Sequence, residues 1–166
     1  MTTTLRVCVL VCLASVAVWA QPADRRALQA AVDRFDAVAI DGRRIATADL
    51  RGRTVLLDFW ATWCAPCLAE IPTLREARRR HGDRLVLVGI SVDVQERASF
   101  IAWLRRQDID WPQIFDGRGW TGPVVHPFAL ERVPFNVLVA ADGRVIGVDL
   151  RGERLLRTLD VLLNRD

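Results

Sequence analysis

The sequence predicts an α/β domain: a central mixed β-sheet flanked by helices. Three features predict it. Thr54 to Trp60 and Leu85 to Ser91 are apolar, β-rich runs, a helical stripe lies between them, and two more strand patterns near the end meet at Asp142-Gly143. A strand, a helix and a strand in that order pair in parallel, whereas strands joined by a tight turn pair antiparallel, so the sheet is mixed. With 166 residues, 51% of them hydrophobic and 26% charged, the chain fits one ordinary domain and not two large ones. No repeat, low-complexity tract or Gly/Ser-rich linker divides residues 21–166.

Residues 1–20 are read as a secretory signal peptide: a short start ending at Arg6, an apolar run, and the small-residue end Val18-Trp19-Ala20 before Gln21. The fourteen residues from Val7 to Ala20 would make a helix of about 21 Å, against a bilayer core of about 30 Å. Cleavage near Gln21 is the expectation, with an uncleaved N-terminal anchor facing the same compartment as the alternative. Cys8 and Cys12 fall inside the apolar run. Val11 before Cys12 is not the small residue that a lipid-acylation site calls for.

Residues 21–34 are read as a lead-in, and 35–166 as the domain. Phe35 to Ile45 alternates around Asp41-Gly42 and predicts a hairpin, followed by a helical turn over Ala48 to Arg51. Thr54 to Trp60 reads as a central buried strand with one acid, Asp58. From Ala65 to Arg80 the residues Leu68, Ile71, Leu74 and Ala77 recur at threes, and Arg75, Arg78, Arg79 and Arg80 lie off that stripe. Pro72 inside it removes a backbone donor and should kink the helix. His81, in the polar stretch RRRHGD, is expected in solvent. Leu85 to Ser91 is the second buried strand, then come an amphipathic helix near Gln95 to Gln107 and a short strand around Pro112 to Phe115. Phe135 to Ala140 and Arg144 to Leu150 are the last two strands, and Glu153 to Leu163 closes the chain as a helix.

Composition narrows the chemistry. There are 23 basic and 20 acidic residues, and every basic one is arginine, so chemistry that needs a lysine amine is excluded. Without the leader and its Arg6 the net charge is about +2, and no basic block is long enough to track a phosphate backbone; nucleic acid is not an expected partner. Removing the leader also leaves two cysteines, Cys64 and Cys67, in a compartment where disulfides persist.

Those two cysteines stand where the Thr54 strand meets the following helix. Unpaired N–H groups at a helix N-terminus favour an anion, which raises the thiolate fraction of Cys64. Pro66 is tolerated in a first turn. Cys67, one turn deeper, is spaced to attack a mixed disulfide formed on Cys64. Two static readings stand beside this one, a structural disulfide and a pair of metal ligands. A loop this short constrains little, and no second cysteine pair completes a zinc site.

The runs VLLDFWATWCAPC, CLAEIP with Glu70 and Pro72, and VPFNVLVAADGRV together resemble the thioredoxin superfamily, and most closely its exported TlpA/ResA branch. The resemblance covers about Phe35 to Leu163 and implies a thioredoxin-like fold with an N-terminal hairpin and a central α/β insertion over Gln95 to Phe115. It implies that Cys64 and Cys67 cycle between dithiol and disulfide and that Pro134 is cis and faces them. The Val133 backbone beside Pro134 would then pair with an extended substrate, with Trp63 at the rim. It further implies a protein disulfide as substrate, a membrane thiol carrier as electron donor, no cofactor, no metal and a monomeric protein.

Two carboxylates join the candidate catalytic set. Burial of Asp58 should raise its pKa and suit it to accept the Cys67 proton, while Glu70, one turn after Cys67, is placed to tune thiol acidity or touch substrate. A structural, hydrogen-bonded role is the alternative for each. The branch often carries a neutral residue at position 58. Thioredoxin has an acid there with a lysine partner, which this lysine-free chain cannot supply. Phe135 replaces a residue that is usually small and polar in the family.

Two other functions remain open on sequence. One is copper binding or delivery by Cys64, Cys67 and His126, since exported thioredoxin folds bind soft metals. The other is a thiol peroxidase acting through Cys64, against which stands the absence of the Pro and Thr that assist peroxide in peroxiredoxins.

Overall fold

The computed structural model describes residues 25–164. The leader and its cleavage point lie outside the described residues. Helix α1 (Arg25–Asp33) precedes a hairpin of β1 (Asp36–Val38) and β2 (Arg44–Ala46), which pair antiparallel with Asp36 opposite Ala46. A 3-10 turn over Thr47–Leu50 leads into β3 (Thr54–Trp60). Then follow α2 (Ala65–His81), β4 (Leu85–Ser91), α3 (Arg97–Arg106), β5 (Gln113–Ile114), β6 (Phe135–Val139), β7 (Val145–Val148) and α4 (Gly152–Leu163).

The main sheet has five strands in the order β5-β4-β3-β6-β7. β3 pairs parallel with β4 and antiparallel with β6, so the sheet is mixed, as the sequence predicts. The α3–β5 segment is the central insertion, and it adds a fifth strand parallel to β4. Alternation along the strands divides the core in two. Val55, Leu57 and Phe59 of β3, Val88 and Ile90 of β4, and Val137 and Val139 of β6 share one cluster with Leu28, Ala31 and Val32 of α1 and Phe100 and Leu104 of α3. Leu56, Leu85, Leu87 and Leu138 point the other way and pack with Ile71, Leu74 and Ala77 of α2 and Leu155, Leu156 and Leu159 of α4. Each fully buried leucine contributes roughly 1.5–3 kcal/mol. Helices on both faces leave no β3 residue exposed.

Two differences from the sequence reading stand out. α1 lies in the segment read only as a lead-in, and its buried stripe is part of the core. His81 is not in solvent; it is 3% exposed, because it continues the α2 stripe after Leu74 and Ala77 and faces α4, where its Nε2 lies 3.2 Å from Asp160. α2 runs through Pro72 and stops at Gly82, whose φ of 48° suits a residue without a Cβ. A second close approach explains Gly89 of β4: a Cβ there would fall 2.2 Å from Oε1 of the buried Gln113, which accepts from Trp60 Nε1 at 3.0 Å. Among the described residues no helix is long and apolar enough to cross a membrane.

Candidate active site

The C-terminal end of β3 feeds the loop Ala61–Trp63, and Cys64 follows in extended conformation as the N-cap of α2. Pro66 lies in the first turn, where its missing N–H removes no intrahelical bond. Cys64 and Cys67 are joined as a disulfide with Cα atoms 5.2 Å apart. The Cys67 backbone N–H donates to Cys64 Sγ at 3.2 Å. A donor aimed at that sulfur, together with the positive end of a seventeen-residue helix, favours the thiolate on Cys64 when the pair is reduced. Both cysteines are buried, whereas Trp63 beside them is 61% exposed.

The loop ahead of Cys64 is pinned by a residue that the sequence reading passed over. Asp93, 2% exposed just past the end of β4, accepts from the Thr62 backbone N–H at 3.0 Å and from the Thr62 hydroxyl at 2.6 Å. It also accepts from the Ser91 hydroxyl at 2.7 Å, and Gln95 donates to Thr62 Oγ1 at 3.3 Å. Val92 N–H closes the β3–β4 junction on the Trp60 carbonyl at 2.9 Å.

β6 runs antiparallel to β3 with Phe135 opposite Phe59, so Val133 and Pro134 lie just beyond the last pair, at the end of β3 that leads to Cys64. The Val133–Pro134 peptide is cis. Phe135 turns into the core, its ring centroid 6.4 Å from that of Phe59.

Asp58 is opposite Asn136 on β6 and Gly89 on β4, and is buried. It follows Leu56 on the face covered by α2 and α4. Burial pushes its pKa up to about 7, the charge of Arg151 pulls it down and that of Glu70 pushes it up. The proton of Asp58 is thereby exchangeable near neutral pH. Glu70 is half-buried and accepts the Gly152 N–H at 3.0 Å, so it caps α4, whose own N-cap residue makes no side-chain cap bond. Arg151, which the sequence reading also did not single out, donates to the Pro134 carbonyl and to Asp149.

The three-residue copper site is not assembled. His126 is exposed in a 3-10 turn over His126–Phe128, and among the described residues no group of three or more His, Cys, Asp or Glu could hold a metal ion.

Comparison with known proteins agrees with this geometry. Residues 28–145 match the AhpC/TSA family. The thiol-disulfide oxidoreductase ResA of Bacillus thuringiensis subsp. konkukian is 27% identical over 132 residues, covering 79% of this chain and 73% of the relative. The thioredoxin-like protein YneN of Bacillus subtilis is 30% identical over 87 residues, covering 51% of each. Among solved structures, a thiol-disulfide oxidoreductase from Bacteroides fragilis superposes with a TM-score of 0.66 at 27% identity, covering 78% of this chain and 96% of that one.

Proposed function

Because the chain belongs to the AhpC/TSA family, we propose that it is an exported thiol-disulfide oxidoreductase that reduces a specific protein disulfide through a Cys64/Cys67 cycle. The observation that carries this is the Cys67 N–H directed at Cys64 Sγ on the N-cap of α2. The relatives named thiol-disulfide oxidoreductases support it.

The Cys64 thiolate attacks one sulfur of the substrate disulfide, forms a mixed disulfide and expels the other substrate sulfur as a thiolate. Cys67 then loses its proton to Asp58, and its thiolate attacks Cys64 Sγ. The Cys64–Cys67 bond forms as the mixed disulfide breaks, and the second substrate sulfur leaves reduced. Two electrons have passed to the substrate. A membrane thiol carrier returns the pair to the dithiol by the same exchange in reverse. The Val133 backbone and Trp63 are the substrate contacts in this scheme, and Glu70 and Asp58 set the proton balance. The protein works as a monomer outside the cytoplasm, after the leader is removed near Gln21.

Equilibration of the Cys64/Cys67 pair with a thiol redox buffer tests the direction of transfer. A potential near the roughly −270 mV of thioredoxin supports a reductase, whereas one near the roughly −120 mV of a dedicated disulfide donor overturns that direction. Consumption of peroxide by Cys64 at a rate above disulfide exchange would replace the reading with a peroxidase.

A further inference from the structure

Every residue of the turn from β7 to α4 is held by hydrogen bonds. Arg151 donates from one guanidinium nitrogen to both the Pro134 carbonyl and the Asp149 carboxylate. Arg132 reaches the other Asp149 oxygen at 2.9 Å. Asn136, buried opposite Asp58, holds Leu150 by both its N–H, at 2.9 Å, and its carbonyl, at 2.6 Å. Glu70, from the turn of α2 after Cys67, takes the Gly152 N–H. Asp149 and Gly152 have φ of 52° and 47°, so the backbone of this turn is held in a left-handed conformation at two points.

Within this turn the Arg151 side chain is only 28% exposed. A guanidinium so shielded is screened less than a surface arginine, and its field reaches the interior. A single cation thus contacts the carbonyl of the residue before β6, and its charge also acts on Asp58, whose strand partner Asn136 is bonded to the adjacent Leu150. Glu70 acts on that acid with the opposite sign.

We propose that Arg151 is a positioning residue of the thiol-disulfide site: its guanidinium anchors the Pro134 carbonyl and, from the turn that Asn136 and Glu70 tie down beside Asp58, supplies the countercharge to Glu70 there. The inference rests on the oxidoreductase reading, yet its main test needs no partner protein.

Infrared difference spectroscopy of the oxidised protein follows the protonated carboxyl band of Asp58, identified by its loss in Asp58→Asn. Arg151→Gln moves the midpoint of that band to higher pH, on the order of one unit, Arg151→Lys restores it, and Glu70→Gln moves it to lower pH. A purely structural role for the turn moves none of these in opposite directions. In the wild-type protein the Arg151 Nε–H resonance titrates with the same midpoint and loses that titration in Asp58→Asn, which keeps the inference testable if Arg151→Gln does not fold. The pH profile for resolution of a mixed disulfide shifts with the Asp58 midpoint. An unmoved midpoint in Arg151→Gln, or a flat Arg151 resonance in the wild type, overturns the role of Arg151. Failure of the wild-type protein to exchange with any disulfide overturns instead the reading on which it rests.

Discussion

The Asp93 carboxylate takes both the backbone N–H and the hydroxyl of Thr62, at 3.0 and 2.6 Å, and so fixes the loop two residues ahead of Cys64 from the neighbouring strand. The position follows from parallel pairing: β3 and β4 end side by side, and groups at the ends of adjacent parallel strands converge on one site.

Asp93→Ala is therefore expected to destabilise the protein by about 2–4 kcal/mol, since the buried Ser91 hydroxyl and the Thr62 N–H lose a charged acceptor. Denaturant unfolding checks this. A loss below about 0.5 kcal/mol would make the contact incidental.

Asp58 gives stability a defined pH dependence. Its folded pKa is raised from 3.8 to about 7, so the folded state holds a proton that the unfolded chain releases. That contribution is fully present below pH 4 and lost as pH rises toward 7. Asp58→Asn should raise unfolding free energy at pH 8 by a few kcal/mol and leave it little changed at pH 4. Equal effects at both pH values would contradict a buried, titrating acid.

The same substitution should leave attack by Cys64 on a disulfide largely intact and slow release of the mixed disulfide, because only the second step needs the Cys67 proton removed. Stopped-flow emission can report both steps, with Trp60 and Trp63 just ahead of the pair. Parallel loss in both steps would reduce Asp58 to a structural role.

His81 acts in the opposite sense. Burial lowers its pKa from 6.5, aided by Arg84 and Arg80 and opposed by Asp160, so stability is present above pH 6.5 and declines as pH falls through the lowered value. Nδ1 has no hydrogen-bond partner and Nε2 only the poorly directed approach to Asp160 at 3.2 Å, so His81→Leu should stabilise the protein by about 1 kcal/mol and flatten this acid limb. Thermal unfolding between pH 5 and 8 tests it, and a destabilised His81→Leu would show that the Asp160 contact outweighs the burial cost; those limits span about the usual imidazole range.

The β3 and β4 bounds were legible to the residue because strands buried on both faces read as unbroken apolar runs. The cysteine pair was legible from its place at a strand-to-helix junction together with the runs VLLDFWATWCAPC and VPFNVLVAADGRV around it. α1 was not, since nine residues with three buried apolar positions and no acidic first turn resemble any short polar segment. Asp93 and Arg151 act through contacts across the fold, and nothing local marks one acid among 20 or one arginine among 23. A signal did exist for His81: its spacing of four from Ala77 continues the helical stripe, but the charged neighbours in RRRHGD obscured it.

Trapping of a mixed disulfide tests the central claim most directly. Oxidised substrate protein mixed with the reduced Cys67→Ser variant should accumulate a covalent complex through Cys64, while Cys64→Ser should form none, because the thiol on the α2 N-cap attacks and the inner thiol resolves. Mass mapping of the joined peptides reads the linkage. A complex joined through Cys67, or no complex with any protein disulfide while the wild-type pair remains reducible, would contradict the account.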